Sequence, residues 1–346
     1  MSLLTGVTNF FGLDIGTSGI RLVELKGSGP VKALTNYALV PVDSKLILSD
    51  AKTDQQKIAV IIKQLVGQAK PTTKNVAVSL PSSRVFTTIV DMDKLSNEEL
   101  SKSIQFQADT LIPTPLENSK IDWSLLGQSP VDSNKVEVLL SSVPNDFIVN
   151  LLDLIEGIGL NVIALEPEAV ALARAVLPAN STKPQIVLDL GATSSDLIRV
   201  MNGGPRLIRS IPVGTELLIK TVSENLSIDL KQAEQFIFKF GMSKDKVEGQ
   251  IFKALSGAAE SLFQEIEKSI KFFQNRYRNV PIEKIYVTGG AAAIPEFPLF
   301  IANKFGLNVE IGNAWTNVSI PANKKNELMA VSSFFSVAAG LAERNI

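Results

Sequence analysis

The stretch Phe11-Gly12-Leu13-Asp14-Ile15-Gly16-Thr17-Ser18-Gly19-Ile20-Arg21-Leu22-Val23-Glu24-Leu25 decides the reading of this chain. It returns about half a chain later as Ile186-Val187-Leu188-Asp189-Leu190-Gly191-Ala192-Thr193-Ser194-Ser195-Asp196-Leu197-Ile198-Arg199-Val200. Each copy has an apolar run, Asp-x-Gly, a small hydroxylated patch and a second β-rich run. Each then reaches a glycine-rich turn, Gly27-Ser28-Gly29-Pro30 or Asn202-Gly203-Gly204-Pro205, ahead of a third β-like run. The pattern predicts strand–turn–strand–turn–strand, twice. Only two copies exist, which points to two related lobes rather than a solenoid.

The turns carry specific chemistry. Gly16 and Gly191 let the backbone bend and approach a ligand with no Cβ in the way. Thr17, Ser18, Thr193 and Ser194 offer hydroxyls, and the turn amides can point inward at an anion. Asp14 and Asp189, each ending an apolar strand, are placed to meet a hydrated Mg²⁺ between the lobes. Face-to-face loops of this kind would grip a polyphosphate from both sides. A single Asp-x-Gly would read as an ordinary hairpin turn, because short motifs arise by chance. The matched pair argues against that.

Two further segments fit the same site. Lys284 to Pro295 reads as an apolar strand, the pair Gly289-Gly290, and a small-residue turn into a helix. The pair would let backbone pass close to a flat adenine and ribose, although paired glycines also simply mark strand ends. Val162 to Arg174 reads as a strand running into a helix that opens with Pro167 at its first position. Carboxylates near a helix start favour the macrodipole, which alone would account for Glu166 and Glu168.

Composition narrows the chemistry. The 346 residues have room for two domains of roughly 150 residues. Hydrophobic residues make up 45% and charged residues 20%, as in a packed globular protein. A formal net charge of −1 offers no basic field for a nucleic-acid backbone. With no cysteine and no histidine, disulfides, thiolate nucleophiles, Cys/His zinc sites and the Ser-His-Asp triad are excluded. A metal would need oxygen ligands, which favours Mg²⁺ held together with phosphates. Met1 to Phe11 has no basic residue ahead of its apolar stretch and makes a poor signal peptide. The richest apolar region, Leu151 to Leu177, is broken by Asp153, Glu156, Glu166, Glu168 and Arg174, too many charges for a membrane span. The expectation is a cytoplasmic protein.

The ordered set Asp14-Ile15-Gly16-Thr17-Ser18, Glu166-Pro167-Glu168-Ala169, Asp189-Leu190-Gly191-Ala192-Thr193, Gly214-Thr215-Glu216-Leu217 and Thr288-Gly289-Gly290 resembles the actin-like ATPase superfamily. That group includes sugar kinases, heat-shock chaperones, actin-like filaments and the division protein FtsA. Within it the chain is most similar to the PilM family of type IV pilus assembly. Gly12 to Leu25 looks like the start of that family, and Leu165 to Val176 looks like its Glu-Pro-Glu-Ala helix. Val76 to Pro81 followed by Glu98 to Pro115 looks like the small subdomain that PilM and FtsA insert into the first lobe.

The resemblance implies an α/β, two-lobed actin-like ATPase fold of duplicated ribonuclease-H-like lobes. The first lobe would cover 1–183, with an insert at about 80–142, and the second 184–326. A C-terminal helix at about 327–346 would return to the first lobe. The ligands implied are ATP and Mg²⁺. Asp14 and Asp189 would organise the metal and its waters. Gly16, Thr17, Ser18, Gly191, Ala192, Thr193 and Ser194 would line the phosphates, and Gly214, Gly289 and Gly290 the nucleoside. Glu166 matches the acidic residue that helps place the attacking water in hydrolysing relatives. Val213-Gly214-Thr215 has one glycine where relatives often have two, and Ala192 stands where glycine is frequent.

Within the insert, Ser96 and Glu99 form a capping-box pattern ahead of a helix presenting Leu100, Ile104, Ala108 and Leu111 on one face. Further helices are expected over Ala258 to Tyr277 and Glu327 to Ala342.

The function implied is an ATP-loaded cytoplasmic adaptor. It would recruit the N-terminal peptide of a PilN-like inner-membrane protein and meet the membrane only through that partner. The peptide groove would lie between the first lobe and the insert, near Val78 to Arg84 and Gln105 to Pro113. One alternative is an FtsA-like, self-associating filament protein, although no basic amphipathic tail follows Leu341. Another is a small-molecule kinase, which needs a base near its acceptor hydroxyl and usually a longer first-lobe insertion.

Overall fold

The computed structural model describes residues 6–27, 29, 31–278 and 280–345. Residues 1–5, Asn279, Ile346, and the Ser28 and Pro30 of the first glycine-rich turn lie outside the described residues. The first copy of the motif forms β1 (Phe11–Gly16), β2 (Gly19–Lys26) and β3 (Lys32–Pro41), joined antiparallel. Two helices follow, the single turn α1 (Ser44–Ile47) and the 18-residue α2 (Lys52–Ala69). Asp43 caps α1 by accepting from the Lys45 amide. The chain returns as β4 (Asn75–Leu80), parallel to β1.

The insert then begins with β5 (Phe86–Asp93). Ser96 and Glu99 make the expected capping box at the start of α3 (Asn97–Leu111), whose buried residues are Leu100, Ile104 and Ala108. β6 (Ser119–Gln128) and β7 (Lys135–Pro144) complete an antiparallel sheet with order β5-β7-β6. Its own core gathers Met92, Leu100, Ile104, Val138 and Leu140.

The first lobe resumes with α4 (Asn145–Glu156), β8 (Asn161–Pro167) and α5 (Glu168–Val176). Pro167 ends β8 and sits one position ahead of the helix rather than at its first turn. Its φ of −54° and ψ of 128° keep the chain extended up to Glu168.

The second copy of the motif forms β9 (Gln185–Leu190), β10 (Ser195–Met201) and β11 (Gly204–Ile211), again antiparallel. Then come α6 (Thr215–Leu226), α7 (Leu230–Phe240), α8 (Gln250–Ala258) and α9 (Glu260–Arg276). β12 (Lys284–Gly289) pairs parallel with β9, and α10 (Phe297–Phe305) leads to β13 (Asn308–Ile311) beside it. β14 (Val318–Ser319) already rejoins the first sheet next to β3, ahead of the helix expected to make that return.

The expected helix Glu327 to Ala342 is broken. The structure has α11 (Lys325–Ala330), a 3₁₀ turn at Ser332–Phe334, and α12 (Ser336–Glu343). Val331 and Phe335 leave helical geometry because tertiary partners claim the segment between them. Ser332 Oγ bonds Asn313 Oδ1 and the Ala314 amide, and the Ser333 carbonyl accepts from Thr288 Oγ1.

The two large sheets, β14-β3-β2-β1-β4-β8 and β11-β10-β9-β12-β13, face each other across α5 and α12. Small residues make that close approach: a Cβ on Gly12 would strike the Ala338 carbonyl, and one on Gly340 the Ala171 carbonyl. Among the described residues, no helix is long and apolar enough to cross a membrane.

Candidate functional site

Hairpin register places the charged groups. Across the two-residue turn Thr17-Ser18, Asp14 pairs with Arg21; across the longer second turn, Asp189 pairs with Asp196. Equivalent positions thus hold an ion pair in the first lobe and two carboxylates in the second. Arg21 Nη1 lies 3.2 Å from Asp14 Oδ2, and its Nη2 donates to Ser18 Oγ at 2.6 Å. Ser79 Oγ, on the next strand, donates to Asp14 Oδ1 at 3.0 Å.

The two turns meet. Thr193 Oγ1 donates to Thr17 Oγ1 at 3.5 Å, and around them opens a cleft of about 600 Å³. Asp14, Gly16, Thr17, Ser18, Asp189, Gly191, Ala192, Thr193, Ser194, Gly289 and Gly290 all line it. Gly214 stands behind the wall at the start of α6, where a Cβ would strike the Ala192 carbonyl. Gly289 has φ +80°, and a Cβ there would come within 2.6 Å of Asp189 Oδ1. Glycine at this position therefore leaves room for that carboxylate.

The electrostatics of the cleft are acidic. Burial raises the Asp189 carboxyl to about 7, and the neighbouring Asp196 adds to the effect. Burial also raises Asp14, with Arg21 opposing it. Glu168, at the first turn of α5, is pushed well above the ordinary carboxyl range by burial and then by Asp196. It is held by the Ser82 amide, which donates to its Oε1 at 2.5 Å. Asp196 Oδ1 is buried and has no hydrogen-bond partner. Among the described residues, no three carboxylates are close enough to ligate one ion directly.

Glu166 does not line the cleft. Its carboxylate is tied to Arg174 Nη2 at 2.6 Å and to Arg344 Nη1 at 3.0 Å, which pins α5 and the chain end beyond α12 to β8. Burial alone would raise it, but the two arginines hold it below the ordinary value. The cleft carboxylate of this segment is Glu168, whose position at a helix start had a sufficient structural explanation in sequence. Arg21, Ser79 and Asp196 also escaped the sequence reading. A hairpin closing on Gly16 and Gly19 pairs position 14 with 21, so the register would have exposed Arg21.

A second concavity of about 770 Å³ adjoins the cleft. It runs between α2 and α4 and shares Asp50, Pro81, Arg84 and Phe147 with the cleft wall. Ser79, Pro81 and Arg84 place the expected Val78 to Arg84 surface on this groove. Gln105 instead lines a separate 330 Å³ hollow in the insert, with Ile104 and Trp123.

The family described as type IV pilus assembly protein PilM matches residues 12–346. Among solved structures, the chain is similar to one described as the PilM-PilN type IV pilus biogenesis complex. The identity is 24% and the TM-score 0.82, covering 97% of this chain and 98% of that one. It is also similar to the ethanolamine utilization protein EutJ from Carboxydothermus hydrogenoformans, at 15% identity and TM-score 0.55, covering 99% and 92%. MreB5 of Spiroplasma citri bound to AMPPNP matches at 14% identity and TM-score 0.54, covering 96% and 95%. These likenesses share a two-lobed actin-like fold. From the match over residues 12–346, the chain belongs to the PilM family of type IV pilus assembly proteins.

Proposed function

We propose that this chain is an ATP-binding cytoplasmic adaptor that recruits the N-terminal peptide of a PilN-like inner-membrane protein. The observation that carries the nucleotide half is the meeting of two equivalent hydroxylated turns, Thr17 against Thr193, over a buried acidic cluster. The turn amides and hydroxyls would hold the phosphates. The donor set fits Mg²⁺: oxygen only, with one buried Asp196 oxygen, Oδ1, left without a hydrogen-bond partner and with carboxyls raised first by burial and then by one another. Asp189 and Asp196 would hold the ion's water shell on one side, and Asp14 on the other. When bound, Mg²⁺ neutralises phosphate charge. Arg21 would add a fixed positive charge beneath the first turn. Gly289 and Gly290 would admit the nucleoside, with Gly214 shaping the wall from behind.

Glu168 takes the place the sequence assigned to Glu166. Its amide-held carboxyl faces the cleft, positioned to orient a water and hold its proton should the bound ATP be hydrolysed.

The groove between α2 and α4 supports the adaptor half. Ile47, Ile58, Phe147, Leu151 and Leu154 supply an apolar floor, and Arg84, Asp146 and Asp153 a polar rim. An extended peptide with alternating apolar anchors suits such a channel. Membrane attachment would come through that partner. We assign residues 1–183 and the returning C-terminal segment to the first lobe, and the segment from 184 to about 313 to the second.

Calorimetric titration with Mg-ATP tests the nucleotide half. Saturable binding to the wild type, weakened at least tenfold in Asp14→Ala and Asp189→Ala, is expected. Equal affinity in all three chains would sink the assignment of the twin turns.

A further inference from the structure

The insert is fastened to the second lobe by a buried charge cluster that the cleft chemistry does not use. On the insert sheet, Asp91 of β5 sits directly opposite Glu137 of β7, so two carboxylates share one face. Like charges in that arrangement repel, and Glu137 is wholly buried. The second lobe answers with two cations. Arg206 Nε of β11 lies 2.6 Å from Glu137 Oε2, and its side chain is 1% exposed. At the end of α9, Arg276 Nη2 reaches Asp91 Oδ2 at 2.8 Å and Glu137 Oε1 at 3.3 Å. Tyr277 Oη donates to Glu137 Oε1 at 2.5 Å. The β6–β7 register slips between Leu125 and Gly127, and the Leu126 carbonyl there accepts from Arg206 Nη2 at 2.8 Å.

Docking gives each carboxylate a cation, although Asp91 Oδ1, Arg206 Nη1 and Arg276 Nε find no hydrogen-bond partner there. Parting the two bodies would strand a buried carboxylate on one side and a buried guanidinium on the other, so partial separation is strongly disfavoured. To its own lobe the insert is joined through Pro81 to Phe86 at one end and Pro144 at the other, and both Pro81 and Pro144 line the peptide groove. β11 carries Arg206 and, about 13 Å further along at strand rise, Ser210 in the cleft wall.

We propose that the Glu137–Arg206–Arg276–Tyr277 clamp makes the insert travel with the second lobe when the lobes close on a nucleotide, bending the chain at the peptide groove. The inference rests on the nucleotide and adaptor readings above. It makes the groove the hinge, so that nucleotide state is felt where the partner peptide sits.

The chain has no cysteine, so paired spin labels can be introduced without background. Exposed Ser133 in the insert is labelled together with either Glu234 of the second lobe or Lys63 of the first, each as a cysteine variant of the full chain. With Mg-ATP, the Ser133–Glu234 distance is expected to stay fixed while Ser133–Lys63 shifts. Glu137→Gln should broaden the Ser133–Glu234 distribution even without nucleotide. Arg276→Gln, at the half-exposed rim, should do so to a lesser degree and serves should the first variant fold poorly. A Ser133–Glu234 distance that moves with Mg-ATP, or a distribution as narrow in both variants as in the wild type, overturns the proposal. The variant arm needs no nucleotide, so a chain that binds none retires the nucleotide reading while the clamp is still judged.

Discussion

At the scale of the residue, one substitution between equivalent positions sets the character of the cleft. Arg21 faces Asp14, whereas Asp196 faces Asp189, so the second lobe holds the unbalanced negative charge. Asp189, raised to about 7, binds its proton more tightly folded than unfolded. Its contribution to stability is therefore full below about pH 4 and is lost as pH rises through about 7. Asp189→Asn is expected to stabilise the ligand-free chain by up to about 4 kcal/mol at pH 8 and by no more than about 2 kcal/mol at pH 5. The same change should abolish the extra thermal stability given by Mg-ATP. Melting curves at the two pH values, with and without nucleotide, check both signs. Glu166 and Glu168 should separate cleanly as well. Glu166→Gln leaves Arg174 and Arg344 poorly compensated and should cost about 2 kcal/mol of stability with Mg-ATP affinity nearly intact. Glu168→Gln should leave the melting temperature unchanged or higher and alter any ATP turnover. Denaturation and phosphate-release assays on the pair distinguish them, and the reverse pattern would return the cleft role to Glu166.

At the scale of the element, local pattern was a good guide where local rules decide. The two hairpin copies, the capping box at Ser96 and Glu99, and the apolar stripe of α3 follow from residues near in sequence. The turn residues of the cleft were legible for the same reason. Glu168 was not, because a carboxylate at a helix start already has a sufficient cause, and only the fold shows which of two neighbours faces the cavity. The break between α11 and α12 was hidden too. The apolar spacing of Val331, Phe334, Phe335 and Ala338 suits a continuous helix, and the bonds that interrupt it come from Asn313 and Thr288. Where elements touch, glycine sets the distance. Gly340→Ala should force α12 away from the Ala171 carbonyl of α5 and destabilise the chain by about 2–3 kcal/mol. An exposed control, Gly67→Ala in α2, meets nothing within 4 Å and should stabilise slightly. Chemical denaturation of the two variants measures the difference.

At the scale of the whole molecule, the sheets, the insert and the groove form one connected path. The cleft wall and the groove share Asp50, Pro81, Arg84 and Phe147, so ligands in the two would touch common side chains. Family membership and the two-lobed fold could be read from ordered motifs, because those motifs are the parts of the fold that touch ligand. The insert's docking could not, since Glu137, Arg206 and Arg276 lie 69 and 70 residues apart along the chain and no local pattern joins them. The adaptor account is tested most directly by titrating a labelled N-terminal peptide of the host's PilN-like protein into the full chain, with and without Mg-ATP. Saturable binding is expected, competed by unlabelled peptide, altered in affinity by Mg-ATP, and weakened about tenfold by Phe147→Ala in the groove. Absence of saturable binding in both nucleotide states would contradict the account.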